Sequence, residues 1–419
     1  MERKRILAVD HTGGVAAFRR KYELIAADPD IDLTVLVPER WVENGRTIEA
    51  PREAPGYRVL SGKVIWPGRE NRALFVTGLA AAIARTRPDV LHLYEEPFSL
   101  IALQSVLLSR LLSPRARISF YSFDILAEGF HYAYRPGWFY GLVQRLVHRF
   151  ADAGMSCCGL GGRVLRSRGF RGPIRYAPMA VDPERYRPPG PDRESERARR
   201  DLRGFVVGFV GRLLPIKGLD DLVRAAAKLD GEWTLLVVGS GPEEATLRED
   251  VRRRGLEDRL RLVGGVPHDE VPGLLSLMDV LVLPSVTTRH SREQFGRVLI
   301  EAMSCEVPVV GSDCGGIPEV IGEAGIVVPE RDPEALGAAL RALSQSPAER
   351  RRLGVAGRRR VLDHFTWEAV AADWLAVWKG LSAGRLPSQP APPWAVVPPG
   401  GTPGTAPSAG PGGGVLASR

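Results

Sequence analysis

The chain has 419 residues, of which 44% are hydrophobic and 25% charged. That suits two ordinary globular domains and excludes a fibrous or wholly disordered protein. Its formal charge is +8, yet residues 1–190 carry 28 Lys and Arg against 19 Asp and Glu, while residues 191–419 carry 29 against 30. The excess therefore belongs to the first half.

Arg5 to Asp10 is a short apolar run, followed by Thr12-Gly13-Gly14 and an amphipathic stretch to Ala27, which reads as strand, glycine turn and helix. The run is too short for a secretory signal, which predicts a cytosolic protein, with peripheral placement at the inner membrane face as the further option. Ile31 to Val37 reads as a second strand, and others follow near Val90–Tyr94, Arg117–Ser122 and Gly154–Cys158 with helices between. Asp28-Pro29-Asp30, an acidic pattern used elsewhere for metals, reads here as a solvated turn. No apolar run reaches the ~18 residues that span a bilayer. Four cysteines without C-x-x-C spacing argue against a disulfide or a zinc site.

Pro183, Pro188, Pro189 and Pro191 with a dense charge cluster make residues 182–203 an exposed linker. A fresh α/β unit then begins at Phe205 to Val210, with strands expected at Thr234–Val238, Arg259–Val263, Val280–Leu283 and Val307–Val310. The fold class is therefore α/β, as two doubly wound domains over 1–181 and 204–365. Thr366 to Lys379 reads as a final amphipathic helix whose Trp367, Trp374 and Trp378 pack in a core. Beyond residue 380 the chain is expected to be disordered, since Gly384 to Arg419 hold nine Pro and eight Gly.

The chemistry concentrates in the second half. Gly211-Arg212 and Lys217-Gly218 lie between the first strand of that domain and a helix, at the sheet edge where open α/β proteins bind ligands. Two cations beside a helix N-terminus suit a diphosphate, and a solvated basic loop is the alternative. Glu293-Gln294-Phe295-Gly296-Arg297-Val298-Leu299-Ile300-Glu301 sets two carboxylates eight residues apart. Free N–H groups after Gly296 suit phosphate oxygens, Glu301 suits the hydroxyls of a ribose, and Glu293 would lie nearer the phosphates and the sugar. In the first half, Glu95-Glu96-Pro97 follows a strand and offers either an acidic pair for acceptor hydroxyls or a simple turn, while His92 reads as a core histidine. No motif for nucleic acid is present, so the basic first domain points to an anionic lipid surface or an acidic acceptor.

Gly13-Gly14, Asp89 to Pro97, Gly211-Arg212 with Lys217-Gly218, Glu293 to Met303, and Gly315-Gly316 with Glu319 together resemble the family 4 glycosyltransferases. The resemblance runs to about residue 380. It implies the GT-B architecture, two Rossmann-like doubly wound domains facing a central cleft, with the helix at 366–380 crossing back to the first domain. It also implies transfer of a hexose from a nucleotide-diphosphate sugar, with retention, to a glycan, lipid-linked or small-molecule acceptor. No cofactor or metal is then expected. Arg212 and Lys217 would stabilise the leaving diphosphate, Glu301 would hold the ribose, Glu293 would orient the sugar, and Gly14 would close over the donor. A nucleotide-sugar epimerase and a catalytically silent binding or scaffold protein are the competing readings. Two positions depart from the pattern. The family's histidine is absent after Ser122, leaving its place to Asp124 or His131, and Glu306 stands where glycine is usual.

Overall fold

The structure is a computed structural model that describes residues 3–43, 46–126, 136–289, 291–384 and 386. His131, His290 and the Pro/Gly-rich tail lie outside the described residues.

Strands β1 (Lys4–Asp10), β2 (Ile31–Pro38), β3 (Arg58–Gly62), β4 (Val90–Tyr94), β5 (Arg117–Ser122), β6 (Ala153–Ser156) and β7 (Ile174–Tyr176) form one parallel sheet in the order β7-β6-β5-β4-β1-β2-β3. A second parallel sheet holds β8 (Phe205–Val210), β9 (Trp233–Val238), β10 (Leu260–Gly264), β11 (Val280–Leu283), β12 (Val309–Ser312) and β13 (Ile326–Val328), in the order β10-β9-β8-β11-β12-β13. The central strands are buried almost throughout, as in β9 and β11, which is why they read as continuous apolar runs. In each sheet the first strand lies beside the fourth. The chain reverses direction there, leaving a crevice at the carboxyl ends of those strands.

The helices that bear on the site are α1 (Ala16–Ala26), α2 (Leu100–Leu112), α3 (Gly137–Phe150), α4 (Gly159–Ser167), α5 (Arg193–Arg199), α6 (Leu219–Ala226), α7 (Arg297–Ser304), α8 (Ile317–Ile321) and α9 (Trp367–Ser382). Helix α9 starts where the Thr366 hydroxyl accepts the Ala369 N–H at 3.1 Å. It follows the second domain in sequence but packs on α1, β1 and β4 of the first. Trp374 and Trp378 are buried there against His92, with ring centroids 4.6 and 5.3 Å away. His92 is accordingly a core residue, its Nδ1 2.8 Å from the Ser119 hydroxyl. Asp28 and Asp30 form the expected turn, but it is not merely solvated. Lys379 of α9 donates to both carboxylates, at 2.7 and 3.2 Å.

The segment 182–203 is mostly exposed, as expected of a linker, but it is also anchored. It carries α5, whose Arg193 and Arg197 turn inward onto Asp279 and the carbonyls of Ser276, Leu277 and Met278. The charge cluster looked solvated in sequence because its one buried carboxylate partner lies about 80 residues away. All four cysteines are free and buried. Glu306 adopts a left-handed φ of 57°, which costs a non-glycine residue about 1–3 kcal/mol.

Candidate active site

The crevice of the second sheet is built by two loops that follow β8 and β11. Gly218 stands between Lys217 and α6 with φ 63°, and a Cβ there would lie 2.0 Å from the Pro284 carbonyl oxygen. Only glycine lets the loops approach this closely. They are stitched together by the Val286 N–H, which donates to the Ile216 carbonyl at 2.8 Å. The approach sets Lys217 Nζ 2.6 Å from Glu293 Oε2, which also accepts the Ser285 hydroxyl at 2.8 Å. Both side chains of the ion pair are largely buried. Arg212, on the same loop, is exposed.

Gly296 begins α7 with φ 77°, and a Cβ there would lie 2.8 Å from Leu283. The side chains around it divide. Phe295 is buried against Phe365, and Val298 packs on the core, so these two offer a ligand their backbone only. Arg297 remains polar and forked. Its Nε is 3.1 Å from Glu301, its Nη2 is 3.4 Å from His268, and its guanidinium lies 5.7 Å from the Phe18 ring of the first domain. Glu301 is 5% exposed. Burial pushes its pKa up to about 6, against the pull of Arg297 and a hydrogen bond from Tyr186.

The Gly315-Gly316 turn brings the two domains together. The Gly316 N–H donates to the Glu293 carbonyl at 2.9 Å, and a Cβ on Gly315 would lie 3.0 Å from Ile125 of the first domain. From the adjoining α8, Glu319 crosses to the N-terminus of α4. There it accepts the backbone N–H groups of Gly159 and Leu160 and lies 3.4 Å from Arg163. Those N–H groups lack partners within the helix, and the positive end of the helix favours a carboxylate. Glu319 therefore ties the second domain to the first.

The first sheet's crevice holds one residue that the sequence did not single out, His11, against one that it did, Glu95. His11 follows β1 and Glu95 follows β4, and the His11 Nδ1 lies 2.9 Å from Glu95 while its backbone N–H donates to the same oxygen at 3.1 Å. Burial opposes a charge on His11, but Glu95, with Asp10 and Glu70 beyond it, outweighs that and raises its pKa to about 9. A raised histidine pKa adds stability that is complete below its unfolded value near 6.5 and disappears as pH rises through about 9. The melting-temperature gap between the wild type and His11→Gln should accordingly close between those two pH values. A gap that stays constant would contradict the ion pair.

Gly13 and Gly14 form a tight turn after β1, where a Cβ would lie 2.8 Å from Val37 and 3.0 Å from Ile48, both within the first domain. Asp124 forms a close ion pair with Arg168 and accepts the Leu126 N–H at 2.9 Å, so it organises the loop after β5. Glu96 faces it across the crevice, accepting the Ser122 hydroxyl and the Phe123 N–H, both at 2.7 Å. Burial and the neighbouring Asp124 push Glu96 up to about 8. The acidic pair thus divides, Glu95 holding a histidine and Glu96 the next loop.

Known proteins resemble the chain in sequence and in fold. The profile described as Glycosyl transferases group 1 matches residues 192–360. The chain is 33% identical over 290 residues to a GDP-mannose-dependent alpha-(1-6)-phosphatidylinositol monomannoside mannosyltransferase of Mycobacterium tuberculosis (strain CDC 1551 / Oshkosh), covering 66% of this chain and 74% of that one. It is 33% identical over 263 residues to an alpha-maltose-1-phosphate synthase of Mycolicibacterium smegmatis, covering 58% and 66%. In fold it is similar to Anabaena Alr3699/HepE in complex with UDP, with a TM-score of 0.69 at 19% identity over 91% of this chain and 100% of that one. Sucrose-phosphate synthase from Thermosynechococcus elongatus gives 0.67 at 24% identity, with the same coverage.

Proposed function

Because the chain belongs to the glycosyl transferases group 1 family and is a nucleotide-sugar-dependent hexosyltransferase of GT-B fold, we propose that its donor binds in the crevice of the second sheet. The observation that carries this reading is the Lys217–Glu293 pair, 2.6 Å apart and largely buried at the carboxyl ends of the strands. An arriving diphosphate competes for Lys217 and frees Glu293 to accept a hydroxyl of the transferred hexose. Arg212 adds a second cation with a forked set of donors. The N–H groups at the start of α7 face the phosphates, and Glu301 accepts the ribose hydroxyls. Two cations beside a helix N-terminus supply the charge that a leaving diphosphate needs, which supports transfer without a metal.

The acceptor enters from the first sheet, whose crevice presents His11 and Glu95. Transfer proceeds with retention. The acceptor is a glycan, a lipid-linked sugar or a small molecule, and the positive balance of residues 1–190 supports an anionic membrane as the surface where it is met. Among the described residues no helix is long and apolar enough to cross a membrane, so the contact would be peripheral.

Thermal shift with UDP-, GDP- and ADP-sugars tests the donor site. A ligand at 100 times its dissociation constant stabilises the fold by about 2.7 kcal/mol, and no shift with any of them would refute the assignment. The ribose role carries its own kinetic signature. Glu301→Ala should raise the donor KM with a smaller fall in kcat, because the ribose does not react. A protonated carboxyl loses acceptor capacity, so the wild-type donor KM should also rise as pH falls through about 6, the value to which burial pushes Glu301. Glu301→Gln should lack that rise. A wild-type KM that stays flat from pH 7 to 5 would remove Glu301 from the ribose.

A further inference from the structure

Helix α3 exposes Trp138, Leu142 and Leu146 at four-residue intervals, a single stripe on a helix. Helix α2 exposes Leu107, Leu111 and Leu112. Trp138 is 69% and Leu111 75% exposed. The helices run side by side, since Arg110 Nη2 of α2 donates to the Phe150 carbonyl at the end of α3 at 2.6 Å. Their opposite faces are buried through Ile101 and Val106 on one and Val143 and Val147 on the other. Scattered apolar side chains are ordinary on a surface, but two neighbouring helices that each expose three large ones are not.

The charge on this face is one-sided. Neither helix contains Asp or Glu, although together they span 27 residues. Arg145 and Arg149 of α3 are exposed and have no ion-pair partner among the described residues. A second copy of the chain on this face would set like charges against each other, because a two-fold interface pairs the same patch with itself. An anionic lipid surface complements both properties. Apolar side chains with tryptophan sit at the level of the headgroups, while arginines on the flank meet the lipid phosphates.

We infer that the outer face of α2 and α3 is the membrane-docking surface of the protein, with Trp138, Leu142, Leu146 and the α2 leucines inserting between anionic headgroups and Arg145 and Arg149 holding them. This rests on the reading of the basic first domain as membrane-facing, and it names the two helices responsible. Docked this way, the domain that receives the acceptor is also the one that is anchored.

Flotation of the full chain with phosphatidylcholine vesicles, with and without phosphatidylglycerol, tests the inference at low salt. The wild type should float with the anionic vesicles only. Trp138→Ser/Leu142→Ser should weaken partitioning onto the vesicles by about tenfold, and Arg145→Gln/Arg149→Gln by about 25-fold, at about fivefold per basic residue. The melting temperature and the donor-induced thermal shift should not change, since all four side chains are exposed. A control, Arg46→Gln/Arg52→Gln, alters exposed cations elsewhere in the domain. If the control loses binding while the helix variants keep it, the domain still docks but this face does not, and the inference falls alone. If the wild type ignores anionic vesicles, both readings fall. Sedimentation as a dimer that Leu142→Ser dissociates would make the face an interface between copies and overturn the inference.

Discussion

Lys217→Ala should lower kcat by roughly 10²–10³ at saturating donor, the usual consequence of removing one preorganised donor from a developing negative charge. Charge grows on the diphosphate oxygens as the glycosidic bond breaks, so the lysine acts more strongly on the transition state than on the bound donor. The structure adds a second effect. Without Lys217, Glu293 keeps, among the described residues, only the Ser285 hydroxyl, and a largely buried carboxylate that has lost its cation is costly. Lys217→Arg should recover part of the rate, since it restores the charge to both partners while changing its geometry. Full kcat in Lys217→Ala would mean that the diphosphate does not leave through this crevice.

Trp374→Ala should destabilise the protein by about 3–5 kcal/mol, the range for deleting a large buried aromatic. Trp374 is 1% exposed and sits among the rings of His92, Tyr121, Tyr94 and Trp378, with centroids 4.6 to 5.7 Å away. The Lys21 ammonium lies 5.1 Å from it. These partners, apart from Trp378, belong to the first domain, while the helix that carries Trp374 continues from the second. Its loss should therefore lower the melting temperature by several degrees and broaden the transition as the domains unfold less cooperatively. Trp374→Phe, which keeps a ring in place, should cost distinctly less. An unaltered melting temperature in Trp374→Ala would show that α9 does not hold the domains together.

Most strands of both sheets were legible in the sequence because they are buried on both faces, so their apolar runs stand out between glycine turns. The overlooked members lie at the edges. Arg58–Gly62 is half exposed and mixed in character, and Ile174–Tyr176 and Ile326–Val328 have three residues each. Their pairing is set by the neighbouring strand rather than by a pattern of their own. Within the site, the residue types at 212, 217, 293 and 301 pointed to phosphate and ribose chemistry, but the direct bridge between Lys217 and Glu293 did not show, since 76 residues separate them. His11 was overlooked for the same reason. A single histidine after a strand has no signature until the fold brings Glu95, 84 residues later, into contact. Asp124 illustrates the converse. The resemblance made it a candidate for the place of the family's missing histidine, and only the fold revealed Arg168 as its partner.

The Glu319 contact makes two backbone amides into a clock. While Glu319 accepts the N–H groups of Gly159 and Leu160, those hydrogens cannot exchange with solvent, and no intrahelical carbonyl takes them over when the carboxylate withdraws. Their exchange with deuterium is therefore timed by separation of the two domains rather than by fraying of α4, whose later amides are bonded within the helix. A bound donor that holds the domains together would lengthen the lifetime of these two hydrogens selectively. The pace of opening, and with it any share of product release in the turnover time, becomes readable at two positions that take no part in the chemistry.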